Sequence, residues 1–459
     1  MAVLTIEVGS LGNRCHLVHD GRMAVVVDPP RDVALVEDAA AAAGLEIAAV
    51  AETHVHDDQV SGGLALARRH GADLLLSAGE TVAFERVGVR DGDLLTYGGV
   101  ELQVLDTPGH TRHHQAFLAR VTTDPQPAVL LSGGSLLLGT VGRTDLVDPR
   151  LASLLAGAQW HSARRLARLD PATLLLPTHG FGSLCASTAV VPPGPADPPA
   201  TIGDQQTTHP ALLIDKETFV HDLVTGLGPI PRHYARMDPL NRAGTGAATP
   251  RPARPVTAEE VTDAVLAGSW VVDLRGRAAY AEGHLPGSIN VEYSAQFATY
   301  VGWLVPWDDD IVLLTDSPQL LEPALRDLAR IGIDGVGAHV LPSEQPLTAR
   351  YRRADWAAYR EARALAAATG LRPPVVVDVR QRDEWLDGHL PGALHLPVHE
   401  VETGARRMPP GELWVHCRSG YRAGIAASLL HRAGRHVVHV DDHWDRVGEL
   451  HIETTAAAA

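Results

Sequence analysis

Residues 271–291 and 376–396 read VVDLRGRAAYAEGHLPGSINV and VVDVRQRDEWLDGHLPGALHL, and they align without a gap at an offset of 105. Asp273 matches Asp378 and His284 matches His389. At an offset of 102, IVLLTDSP (311–318) matches LWVHCRSG (413–420). Each copy carries a strand, helix, strand, loop, helix pattern over roughly 100 residues, an ordinary domain size. A chain with this internal repeat has to fold its C-terminal half as two α/β copies. The copies differ where it matters chemically. Thr315 stands where the second copy has Cys417, and the first copy has no cysteine.

The second copy's loop, HCRSGYRAG, puts Cys417 ahead of Arg418, Ser419, Gly420, Tyr421 and Arg422. A glycine-containing loop of this length can curl so that backbone N–H groups face the sulfur, which stabilises a thiolate or a cysteine persulfide. Arg418 and Arg422 add positive charge where an anionic sulfur donor would arrive. Sulfur transfer through Cys417 is the first chemical reading of the chain.

At 459 residues the chain is too long for one core, and two to four domains are expected. Hydrophobic residues at 45% and charged residues at 20% describe a globular protein. A net charge of −16 and the lack of a Lys/Arg-rich block argue against nucleic acid as partner. No apolar run of about eighteen residues is present, so a membrane span is not expected. The start, MAVLTIEVGSLGN, lacks the basic and apolar regions of a secretory leader. Three widely spaced cysteines, Cys15, Cys185 and Cys417, fit neither a disulfide framework nor a CxxC metal site. A reducing cytoplasm suits all of this. The sequence leaves monomer and homo-oligomer both open.

Residues 1–243 alternate short β-runs (LTIEVGS, RMAVVVDPP) with helical stretches and buried-looking strands, the pattern of a layered α/β domain. Residues 244–255, GTGAATPRPARP, read as a linker. The expected division is 1–243, the linker, 256–352 for the first copy and 353–459 for the second.

The duplicated half resembles the rhodanese family through its Asp-Xaa-Arg strand ends, GHLPG turns and CxxGxR loop. The resemblance implies a parallel sheet flanked by helices and a persulfide carried on Cys417, with the first copy silent. Residues 439–447, HVDDHWDRV, depart from the glycine-rich turn more usual there. The N-terminal region resembles the metallo-β-lactamase fold, an αββα sandwich, and within it the persulfide dioxygenase branch found fused to rhodanese units. The matching segments are VVDPPRDV (26–33), THVHDDQVSGG (53–63), TPGHT (107–111), GTVGRTDL (139–146), PTHGFGSLC (177–185) and HYARMDPLNRAG (233–244). In that branch one iron is held by two histidines, here His54 and His110, and by an Asp whose place is taken by Gly134. Gln59 likewise replaces a histidine that a two-metal hydrolase would need. Without the carboxylate the facial triad suited to iron and dioxygen is broken.

What remains is His54, His56 and His110, three imidazoles that suit one zinc or iron ion, with Asp58 and His179 hydrogen-bonding behind them. Asp145 is the nearest substitute carboxylate by sequence, and Asp28 is expected to brace the pocket floor. His113 and His114 point oppositely on a strand and read as a polar edge. Cys15 and Cys185 read as small buried hydrophobes. The expected function is persulfide or thiosulfate sulfur handling with small sulfur donors and thiol acceptors. The alternatives are a zinc-dependent thioester-type hydrolase and a non-catalytic sulfane-sulfur binding protein.

Overall fold

The structure, a computed structural model, describes all residues except 1, 123–125, 181–182, 188–199, 247–251, 308, 342–345 and 457–459. Part of the expected linker (247–251) and two residues of PTHGFGSLC (Phe181 and Gly182) therefore lie outside the described residues. The chain forms two compact units: Met1–Arg251 with Arg326–Asp334, and Pro252–Leu325 with Gly335–Ala459.

The first unit is an α/β sandwich of two sheets. One has six strands in chain order, Ala2–Val8, Asn13–His19, Met23–Val27, Glu46–Ala51, Asp73–Ser77 and Val87–Val89. The other has five, also in chain order from edge to edge: Leu94–Tyr97, Val100–Asp106, Gln115–Val121, Val129–Gly133 and Leu174–Pro177. Alternate residues of the facing strands meet between the sheets, where Val25, Ala49, Leu75, Leu102, Phe117 and Leu131 are among the buried core. The opposite faces are covered by helices. Gly63–His70 sets Leu64 and Leu66 against Val26 and Val50, while Ala152–Leu166 and Lys216–Gly226 cover Leu118 and Leu130. Those layers make an αββα sandwich, and the loops at its strand ends carry the histidine motifs.

Residues Arg326–Asp334 join this unit. Arg330 donates to Asp32 at 2.9 and 2.6 Å and to Ser10 Oγ at 3.0 Å, and its carbonyl accepts from Val60 N–H at 2.8 Å.

In the second unit each copy builds a five-stranded parallel sheet, and the two sheets have the same strand order. The first runs Arg254–Pro255, Gly337–Val340, Ile311–Thr315, Trp270–Asp273, Ile289–Asn290. The second runs Arg352–Ala354, His436–Val440, Glu412–His416, Val375–Asp378, Leu394–His395. Central strands such as IVLLT are buried along their whole length, as a parallel sheet covered on both faces requires. The repeated Asp-Xaa-Arg element closes on itself identically in both copies. Arg275 forks onto Asp273 and donates to Gly283 O, and Arg380 forks onto Asp378 and donates to Gly388 O. That shared network is scaffold, because the copy without the cysteine keeps it.

Candidate functional site

Two sets of residues carry chemistry, one in each unit. In the second unit the strand Glu412–His416 delivers Cys417 to the start of the loop that feeds the helix Tyr421–Arg432. Gly420 caps that helix with φ of 87°, and a Cβ there would lie 2.3 Å from Asp441 Oδ1. Only glycine fits both the backbone angle and the space. Cys417 is buried, and the first-turn amide of Ala423 donates to its Sγ at 3.4 Å. The thiol therefore sits at the positive end of a three-turn helix. The loop sequence implies several amides on the sulfur; among the described residues one hydrogen bond to Sγ is formed.

Arg422, expected to add positive charge where the donor arrives, is paired. Its two terminal nitrogens fork onto Glu384, one of them at 2.8 Å, and Glu384 also accepts from Gln381 N–H at 3.0 Å as the cap of its own helix. Arg418 is exposed, and its carbonyl accepts from Trp444 N–H at 2.8 Å. Ser419 is half-buried. Tyr421 donates to Glu292 O at 2.8 Å and accepts from Ser294 at 3.0 Å, so the first copy anchors the Cys417 loop. The unusual segment after the last strand packs behind that loop. His439 bonds Gly420 O at 2.9 Å, and the Trp444 ring stacks on His416 and has the Arg380 guanidinium over it at 3.9 Å. In the first copy the matching Thr315 is buried and spends its hydroxyl on the local turn with Ser317.

In the first unit His54, His110, His114 and His179 converge in one buried cluster, with ring centroids of His54 4.8 Å from His110 and 5.3 Å from His179. Each ring's proton can be placed from its neighbours. Thr53 gives its hydroxyl proton to Asp28 at 2.8 Å, so its oxygen accepts from His54 Nδ1 at 2.8 Å. Arg143 O accepts from His110 Nδ1 at 2.7 Å. Asn13 donates its amide to Asp58 at 2.8 Å, which turns its oxygen toward His179 Nδ1 at 3.0 Å. Hence His54, His110 and His179 all keep Nε2 as a lone pair. His114 differs: its Nε2 accepts from Gly134 N–H at 2.9 Å and is already used.

Burial and neighbouring imidazoles hold His54 well below its ordinary pKa, burial above all brings His110 to about 3, and burial also lowers His179. All three are neutral at pH 7. His56 is the opposite case. Burial opposes its charge, but Asp28 and Glu52 at 3.4 and 3.2 Å raise it well above the ordinary value. Asp28 in turn stays ionised: burial opposes this, and His56 with the Thr178 and Thr53 bonds brings it to about 2.

Three groups of ligand atoms each lie within 4.8 Å of one another among the described residues: His54, His110 and His179; His56, Asp58 and His179; and Asp28, Glu52 and His56. The expected set of His54, His56 and His110 is thus grouped differently. His179 rather than His56 groups with His54 and His110, while His56 groups with Asp28 and Glu52 and with Asp58 and His179. Asp145 is no substitute ligand, because both its oxygens hold Arg143 at 2.7 and 2.8 Å. His114 is no polar edge but a buried member of the cluster.

A rhodanese-like domain model matches residues 257–336 and 361–449. The N-terminal region is 32% identical over 194 residues to the hydroxyacylglutathione hydrolase of Fuscovulum blasticum, covering 40% of this chain and 69% of that protein. It is 33% identical over 172 residues to the hydroxyacylglutathione hydrolase of Acidiphilium cryptum (strain JF-5), covering 37% of this chain and 65% of the relative. The chain thus spans about two thirds of the length of these relatives. The crystal structure of a metallo-β-lactamase from Staphylococcus aureus subsp. aureus COL superposes with a TM-score of 0.66 at 27% identity, covering 74% of this chain and 98% of that one. The chain belongs to the metallo-β-lactamase–rhodanese fusion family.

Within this fusion protein the residues missed from sequence are informative. Glu384 aligns with Ala279 at the repeat offset, and Arg422 with Leu320, so the forked pair exists in the cysteine-bearing copy alone. Comparing the copies position by position would have found it. Glu52 and Asn13 carried no such signal, since both act through side-chain direction. The fold family implies a metal, and the donor set fits one: three buried Nε2 lone pairs converge, and that of His110 has no hydrogen-bond partner.

Proposed function

We propose that the fusion protein is a sulfurtransferase working through a persulfide on Cys417. The observation that carries this reading is the single buried thiol at the N-terminus of Tyr421–Arg432, with the Ala423 amide on its sulfur, in the copy that alone has the Glu384–Arg422 pair. The Cys417 thiolate attacks the outer sulfur of a donor such as thiosulfate. One S–S bond forms to Cys417, the donor's S–S bond breaks, and sulfite leaves with the bonding pair. The helix N-terminus then faces the terminal anionic sulfur of Cys–S–S⁻. An acceptor thiolate or cyanide takes that sulfur and returns Cys417 as thiolate. Low-molecular-weight persulfides and thiols are the proposed natural donors and acceptors. Exposed Arg418 is placed to meet them.

The histidine cluster supports a companion reading for the first unit, binding of a related small persulfide or thiol compound. A cation bound there would supply Lewis-acid polarisation. The resemblance to hydroxyacylglutathione hydrolases favours thioester-type hydrolysis as the second reading, while Gly134 and Gln59 remove two groups that a two-metal site would use.

Thiosulfate-to-cyanide sulfur transfer tests the main reading. Wild type is expected to turn over and Cys417→Ala to lose at least about a hundredfold, as for loss of a nucleophile. Equal, negligible thiocyanate formation by both would sink the transferase.

A further inference from the structure

The first copy's helix Phe297–Leu304, FATYVGWL, is apolar almost all round, and every residue of it but Thr299 is buried. Tyr300 and Trp303 stand three apart and so share one helix face. Both meet the second copy. The Tyr300 ring lies 5.6 Å from that of Tyr421, and the Trp303 ring lies 4.6 Å from that of His399. This face brings the Tyr300 hydroxyl close enough to Cys417, Arg422 and Glu384 to feel the charge of each.

Tyr300 is only 9% exposed, and among the described residues its hydroxyl has no hydrogen-bond partner. Buried tyrosine hydroxyls usually have one. Its ring neighbour Tyr421 does, through Glu292 O and Ser294. The cations around the loop are already matched by carboxylates. Arg422 is forked on Glu384, and Arg277 is held by Glu292 and Asp441. Burial pushes the Tyr300 phenol up to about 12, so it keeps its proton at neutral pH and is a ready donor. The Ala423 amide serves Sγ of Cys417, which leaves the sulfur beyond Sγ in need of a donor of its own.

We propose that Tyr300, from the copy without the cysteine, completes the sulfur site by donating its O–H to the outer sulfur of a small anionic donor and then to that same sulfur in Cys417–S–S⁻. The phenol gives a hydrogen bond and transfers no proton. As the bond to Cys417 forms, sulfite leaves with the bonding pair and negative charge settles on the transferred sulfur. A fixed donor aimed there acts where charge develops. The inference rests on the persulfide reading of Cys417, and it gives the cysteine-free copy a direct part in the chemistry.

Tyr300→Phe removes one oxygen and keeps the ring against Tyr421. Full-length wild type and Tyr300→Phe are compared with thiosulfate as donor and cyanide as acceptor, and the Cys417 peptide is weighed after loading. Wild type is expected to gain one sulfur, and kcat/KM for thiosulfate is expected to fall at least about tenfold in the variant, as for loss of a hydrogen bond to an anion. Unchanged kcat/KM in Tyr300→Phe, with sulfur loaded on Cys417, would overturn the role of Tyr300 and leave the persulfide reading standing. Wild type that takes up no sulfur would overturn both. Should the variant fold poorly, ¹³Cζ-tyrosine spectra of wild type decide. Loading with thiosulfate should shift a tyrosine resonance in wild type and none in Cys417→Ala; no shift in loaded wild type would contradict the proposal.

Discussion

At Glu384 the cysteine-bearing copy departs from its twin, which has Ala279. The Glu384 carboxylate takes both the Arg422 fork and the Gln381 amide, and the side chain is only 20% exposed. Glu384→Ala would strand Arg422 beside Tyr300, at an expected cost of roughly 2–4 kcal/mol, seen as a lower urea midpoint. Burial opposes ionisation of Glu384, but the Arg422 bond outweighs it and holds the carboxyl below its ordinary value. A depressed folded pKa stabilises above the unfolded value of about 4.3 and is lost as pH falls through the folded one. Urea melts from pH 7 down to pH 3 should therefore show a pH-dependent loss in wild type that is smaller in Glu384→Gln. Gly420 makes a second case. Gly420→Ala puts a methyl on Asp441 and a non-glycine residue at positive φ, at about 1–3 kcal/mol. Sulfur transfer should fall with it while far-UV circular dichroism is kept.

At the scale of elements, the repeat was readable in detail because strands and Gly-Pro turns are local signals. Both sheets have one strand order, and the two Asp-Xaa-Arg elements close alike. The difference between the copies was readable from Thr315, which stands where the second copy has Cys417. What the sequence could not show is that the first copy anchors the Cys417 loop through Glu292 and Ser294. Contacts between copies depend on which helix faces which, and no periodicity encodes that. The histidine loops were likewise only half legible. Motif order gave His54 and His110, whereas the grouping of His179 with them, and of His56 with Asp28 and Glu52, depends on side-chain directions. If the loop as a whole makes the site, then Thr315→Cys alone should not acquire a persulfide, because Leu320 and Ala279 replace Arg422 and Glu384. Peptide mass mapping after thiosulfate would show sulfur on residue 315 if that account were wrong.

Across the molecule, the two compact units do not follow a single cut in the chain, since Arg326–Asp334 belongs with the first. Arg330 is nearly buried there and satisfies Asp32, Ser10 and Asp327 together. Arg330→Ala leaves two acidic side chains with a lost partner, an expected loss of about 3–5 kcal/mol. Thermal unfolding should show the change in the transition of the first unit. The division at residue 243, read from composition, could not reveal this, because a segment that returns across some eighty residues leaves no mark in local patterning.

The central claim is that sulfur is carried on Cys417. Incubating the full-length protein with thiosulfate, removing the donor and mapping peptides by mass spectrometry tests it most directly. The account predicts one added sulfur atom on the peptide containing Cys417, removed by cyanide and absent from Cys417→Ala. An unmodified Cys417, or added sulfur on Cys15 or Cys185 instead, would contradict it.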